Sequence, residues 1–196
     1  MMDILNLQVI APWLIVALTG IAVLMVDLFL PADKKGPVVG LSIAGLASAF
    51  IVNASQWAWV TQAEKPITGF GRMVITDHIS LFFNGLFIVS CGLVILLSVS
   101  YLKEYLMNYG EYYALLLFAA CGMMIMSSSL DLIVLLLGLE LTAISFYVLC
   151  GLRRDNLKSN EAALKYFILA AFASGFLIYG ITLFFGYQEY EFDMGF

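Results

Sequence analysis

The chain has 196 residues, 63% of them apolar and only 12% charged, with a mean hydropathy of +0.99. A soluble domain of this size carries about twice that share of charge, so a water-soluble fold is excluded. The net charge of −5 comes without any basic patch, which excludes a nucleic-acid-binding surface.

The charges are unevenly spread, and the gaps between them define the predicted elements. Val9–Val26, Pro37–Val60, Ile79–Leu102 and Tyr112–Leu130 hold no charge at all. Leu132–Leu152 holds only Glu140, and Ala162–Gln188 holds only Lys165. A hydrocarbon core of ~30 Å takes roughly 20 helical residues to cross, and each gap is of about that length. The chain is therefore predicted to be an all-α membrane protein with about six transmembrane helices. A transmembrane β-barrel would alternate apolar and polar residues in strands of about ten, and these continuous apolar runs do not alternate.

In chain order, "MMDILNLQVIAPW" lacks a basic leader and a small-residue cleavage site. The first span is thus expected to stay as an anchor. Asp27 sits near its far end, within reach of Lys34 or Lys35 in "PADKKGP", and Pro37 suits a first helical turn. Span two carries small residues four apart, Gly40/Ala44/Ser48 and Gly45/Ala49, the spacing that lets helices approach closely in lipid. The loop "TQAEKPITGFGRMVITDH" follows and ends on His78, the single histidine, where an interfacial role fits better than catalysis. After span three come "KEYLMNYGE", a fourth span with Met123, Met124 and Met126 as adaptable packing, and the tight link "SSSLD".

Asp131 opens span five, where a carboxylate complements the helix dipole. Gly138/Thr142 on that span, and Ala170/Ser174 and Ala171/Gly175 on span six, repeat the small-residue spacing. Cys91, Cys121 and Cys150 stand alone inside spans with no C-x-x-C spacing, so packing is expected of them rather than metal ligation. Loops one, three and five hold Lys34, Lys35, Lys103, Arg153, Arg154 and Lys158, six cations, against Lys65 and Arg72, two, elsewhere outside the spans. Basic residues favour the cytoplasmic side, so both termini are predicted to face outward.

Two charges lie inside the spans. Glu140 is eight residues into its span, roughly 12 Å deep at 1.5 Å per residue. An ionised carboxylate at that depth costs about 2.5–3.5 kcal/mol on insertion scales, and such residues usually face bundle interiors or hydrated paths. Lys165 on the next, antiparallel span is a candidate partner. Its offset from Glu140 along the axis is ~10 Å, and helical side chains lean toward their own amino termini, which draws the two heads apart. Glu161, four residues before Lys165, offers the favourable Glu-then-Lys order on one helix. The residues themselves leave both partners open.

At "SSSLDLIVLLLGLELTAISFYVLCG" and "SNEAALKYFILAAFASGFLIYGITLFFG" the chain resembles the N subunit of proton-pumping NADH:quinone oxidoreductase, complex I, called ND2 in mitochondria. The likeness is close over Tyr112–Gly186 and loose over the whole chain, with "DHISLFF" fitting as well. The resemblance implies an antiporter-like helical bundle in which Glu140 and Lys165 form an intramembrane pair that handles protons; Glu161 and Asp131 are candidate supporting charges beside it. A carboxylate moving near a lysine shifts the lysine's proton affinity, so the pair can act as a switch. On this reading residues 1–111 hold three leading helices, 112–188 the first three helices of an antiporter-like repeat, and 189–196 an acidic tail. Family members are more than twice as long, so a second repeat is expected on a further segment or a further chain.

The resemblance further implies other membrane-arm subunits as partners and a bacterial inner-membrane location. NADH, FMN, iron–sulfur clusters and quinone are expected on partner subunits, and no cofactor on this chain, which lacks G-x-G-x-x-G, a P-loop and a cysteine cluster. Two alternatives stand beside it. One is a related subunit of a cation/proton antiporter or of a hydrogenase or other ferredoxin-driven pump. The other is a purely structural membrane subunit.

Overall fold

The structure, a computed structural model, describes residues 2–30, 35–63, 66–104 and 110–193. Six helices follow one another: α1 (Met2–Phe29), α2 (Gly36–Ala63), α3 (His78–Glu104), α4 (Gly110–Ser127), α5 (Leu132–Cys150) and α6 (Leu157–Asp193). All six are long and apolar enough to cross a bilayer. The six-helix membrane architecture read from the charge gaps is therefore the one observed. α6 runs on to Asp193, so the stretch read as the start of an acidic tail is helical as far as that residue.

The apolar core lies among the first four helices. Val16 and Val23 of α1, Leu46 and Ala49 of α2, Ile88 and Ile95 of α3, and Leu117 and Met124 of α4 are all buried together. α4 is the most enclosed helix, whereas α6, among the described residues, packs chiefly on α5 and exposes nearly its whole length. Of the two small-residue stripes on α2, the second makes the contact: a Cβ on Gly45 would fall 2.3 Å from Thr19 Oγ1 of α1, while Gly40 has open space around it. Cys91 and Cys121 pack in the core and donate to the carbonyls of Leu116 and Trp13. His78 is exposed, its ring 5.1 Å from that of Trp57.

Pro12 lies inside α1 and has no N–H, so the carbonyl of Gln8 four residues earlier loses its helical donor. An unpartnered carbonyl is costly in lipid. Gln56 of α2 donates its side-chain amide to that oxygen at 2.5 Å. The proline and the glutamine thus form one unit joining two helices.

The loop between α2 and α3, which the sequence left as irregular, holds a two-stranded antiparallel hairpin, β1 (Ile67–Gly69) and β2 (Val74–Thr76). Its tip turns through Gly71 at φ +64, a left-handed conformation suited to glycine. The outer edge of β2 pairs with the α4–α5 link: Ile75 N–H donates to Ser128 O and Leu130 N–H donates to Met73 O, each at 2.8 Å. Thr76 adds a bond to the Val9 carbonyl of α1 at 3.4 Å. The hairpin consequently ties α1, α4 and α5 together at one end of the bundle. Reciprocal bonds between Asp77 and Ser80 cap α3 directly after it.

At the opposite end Lys35 pairs with Asp27 at 2.5 Å, both side chains largely enclosed. The backbone of Gly110, at the start of α4, presses on this carboxylate; a Cβ there would stand 2.0 Å from Asp27 Oδ1. Lys34 and Lys65 lie outside the described residues.

Candidate functional site

α5 owes its position to a cap and a crossing. Asp131 is its N-cap, accepting from Ile133 N at 2.7 Å and Val134 N at 3.3 Å. Asp131 therefore serves the helix terminus, the structural use its place in the sequence suggested. About two turns further on, α5 crosses α4 at Gly138. A Cβ on Gly122 would fall 2.6 Å from Gly138 O, and a Cβ on Gly138 would fall 2.8 Å from Gly122 O. Thr142 closes the crossing by donating to Gly138 O at 3.0 Å and Ala119 O at 3.3 Å. This is small-residue packing in lipid, and it fixes the face of α5 on which Glu140 stands.

Glu140 is half-buried near the middle of α5 and accepts a hydrogen bond from Ser174 Oγ of α6. The antiparallel contact continues on either side of that bond. Tyr147 stacks edge-on against Tyr166, with centroids 4.9 Å apart, and against Phe167 at 5.7 Å. Near the link, a Cβ on Gly151 would meet Ala163 Cβ at 3.0 Å. Two open clefts lie along the α5–α6 contact; Ser174 lines one of them and Glu140 lines neither. One of about 350 Å³ runs along Thr142, Tyr147, Tyr166 and Ser174; the other, of about 450 Å³, lies toward the start of α5, between Ile133, Leu136, Ile178 and Thr182.

Lys165 stands elsewhere. Its ammonium pairs with Glu161 Oε1 at 2.5 Å, one turn back on the same helix, and both side chains are well exposed. Nine residues of α6 separate Lys165 from Ser174, the residue level with Glu140, which is about 13 Å along the axis. The structure thus does not bring Glu140 and Lys165 into contact, and of the two partners the sequence left open for Lys165 it forms the Glu161 pair. The physical reason is the register: Tyr166 faces Tyr147, so Lys165 lies about two and a half turns from the level of Glu140, and its side chain leans toward its own amino terminus. The residue that sequence reasoning missed is Ser174. It was noted only as a small residue for packing; its antiparallel register with Glu140 follows from the short α5–α6 link, but its facing direction does not.

Glu140 thus stands inside a six-helix membrane bundle, on a capped helix crossed tightly by one neighbour and contacted by the next. The sequence profile of the family described as "NADH:quinone oxidoreductase/Mrp antiporter, TM" matches residues 129–194, the segment from the α4–α5 link through α6. The chain is 40% identical over 182 residues to NADH-quinone oxidoreductase subunit N of Trichlorobacter lovleyi, covering 93% of this chain and 36% of that protein. It is 43% identical to subunit N 1 of Koribacter versatilis, covering 89% and 35%. Among solved structures it superposes on a chain of respiratory complex I from Thermus thermophilus with a TM-score of 0.71 at 30% identity, covering 89% of this chain and 36% of that one. An archaeal membrane-bound sulfane sulfur reductase complex shares the fold, with a TM-score of 0.77 at 21% identity. The chain is similar to the N subunits of NADH-quinone oxidoreductases, and it spans just over a third of the length of the relatives it matches.

Proposed function

We propose that the chain forms part of a membrane-arm subunit of a proton-translocating NADH:quinone oxidoreductase, coupling quinone reduction elsewhere in the complex to proton movement through the bilayer. The observation that carries this reading is Glu140: a half-buried carboxylate at mid-span, hydrogen-bonded across α5–α6 to Ser174, which lines an open cleft. Holding a charge there costs about 2.5–3.5 kcal/mol unless it is used or neutralised. Glu140 takes up and releases the proton. Lys165, with Glu161, forms a second charged station about 13 Å along α6, so the two act in sequence on one route instead of as a contact pair. Redox chemistry, with NADH, FMN, iron–sulfur clusters and quinone, belongs to partner subunits, and the remaining antiporter-like repeat to further chain. The setting is the bacterial inner membrane, with the hairpin end and both termini outside.

The second reading, a subunit of a cation/proton antiporter or of a membrane hydrogenase or related complex, draws on the family description, which joins both classes. Glu140→Gln in the assembled complex separates proton handling from scaffolding. Normal assembly with proton translocation reduced at least about tenfold, on the scale of losing a proton-transfer group, is expected. Assembly with undiminished translocation would leave only the structural role.

A further inference from the structure

The α5–α6 contact is sparse for two membrane helices. Among the described residues, two side-chain hydrogen bonds join them: Ser159 to the Cys150 carbonyl at the link, and Ser174 to Glu140 at mid-span. Between and beyond these lie an aromatic contact at Tyr147 and the two cavities. The cavities are offset along the axis. The smaller reaches from the level of Leu139 to that of Tyr147, the larger lies at the level of Ile133 and Leu136, and the Glu140–Ser174 contact stands where one gives way to the other. A serine hydroxyl has one proton to donate, and here it goes to the carboxylate.

We infer that Ser174 is a positioning residue for Glu140: its hydroxyl holds the carboxylate against α6 at the boundary between the two cavities, so that access to either depends on the α5–α6 contact. This rests on the proposed proton-handling role of Glu140 and adds what governs it. Among the described residues α6 packs chiefly on α5, so breaking this bond leaves the core of α1–α4 intact. Released from Ser174, Glu140 is free to turn toward either cavity. Hydrogen bonds to a charged group are stronger than neutral ones and hold a definite geometry, which suits a latch that is either made or broken.

The test uses the full-length subunit in the assembled complex, with Ser174→Ala and Ser174→Thr. The carboxylate stretching band of Glu140 is assigned in infrared spectra of glutamate-labelled complex by its loss in Glu140→Gln. Removing the hydroxyl is expected to shift that band and to lower protons moved per electron roughly tenfold, the scale of one hydrogen bond to a charged group. Threonine, which keeps the hydroxyl, restores both. A band unmoved in Ser174→Ala overturns the inference. A band that moves and is restored by threonine while translocation stays at full level upholds the positioning by Ser174 and instead overturns the proton-handling reading of Glu140.

Discussion

Two carboxylates show how differently a bilayer treats the same group. Asp27 is enclosed but neutralised at contact distance by Lys35, with the start of α4 pressed on it. Glu140 has for its partner a hydroxyl, that of Ser174, which itself borders open volume. A buried ion pair contributes little over an apolar pair of the same shape, yet removing one member strands the other. Lys35→Met is therefore expected to destabilise the protein by on the order of 3–5 kcal/mol, read as a lower denaturation midpoint in detergent. The double variant Asp27→Leu/Lys35→Met should recover most of the loss, because no unpaired charge remains. The exposed Lys165–Glu161 pair, within one helix, lacks that leverage; such pairs contribute about 0.3–0.5 kcal/mol. Its sequence signal, Glu then Lys four apart, was local and legible, whereas the partner of Glu140 was not.

At the scale of the element, α4 and α5 depend on glycine where two backbones meet. Packing takes the place of the hydrophobic drive between helices in lipid, and here it is concentrated at Gly122, Gly138 and Thr142. Gly138→Val places a branched side chain against Gly122 O, where the obstacle is backbone and cannot rotate away. A loss of at least about 1–3 kcal/mol is expected, measured as a fall in the yield of folded protein and in its denaturation midpoint. Gly40→Val, on the stripe that faces open space, should be tolerated and serves as the control. Spacing alone could not rank these stripes, since Gly40/Ala44/Ser48 and Gly45/Ala49 look alike in sequence and only the second meets a neighbour.

For the whole molecule, the described cations fall unevenly between the two ends. Lys35, Arg153, Arg154 and Lys158 lie at the end away from the hairpin, and Arg72 lies at the hairpin tip. Basic residues are retained on the cytoplasmic side, so the proposed topology puts the hairpin outward. Single cysteines at Met73 and Asp155, both exposed, test this in a background where the exposed Cys150 is replaced by serine. A membrane-impermeant thiol reagent added to intact cells should label Met73→Cys and spare Asp155→Cys. The reverse pattern would invert the proposed topology. The hairpin bears on the same question, because bonds from β2 to the α4–α5 link place both connections at one end.

Much of this architecture was determined by the sequence acting alone. Crossing a membrane requires long uncharged runs, so the charge gaps define six helices and their order, and Asp131 marks where α5 begins. The resemblance carried by "LELTAISFYVL" and "EAALKYF" was equally local. Tertiary structure alone decided which faces meet. Short strands such as "ITG" and "VIT" hide in a polar loop until the α4–α5 link offers an edge to pair with. The carbonyl that Pro12 frees finds its donor 48 positions away in sequence, at Gln56. Glu140 likewise meets Ser174 because two helices with little amphipathic pattern are rotated by their packing, a property no single segment encodes.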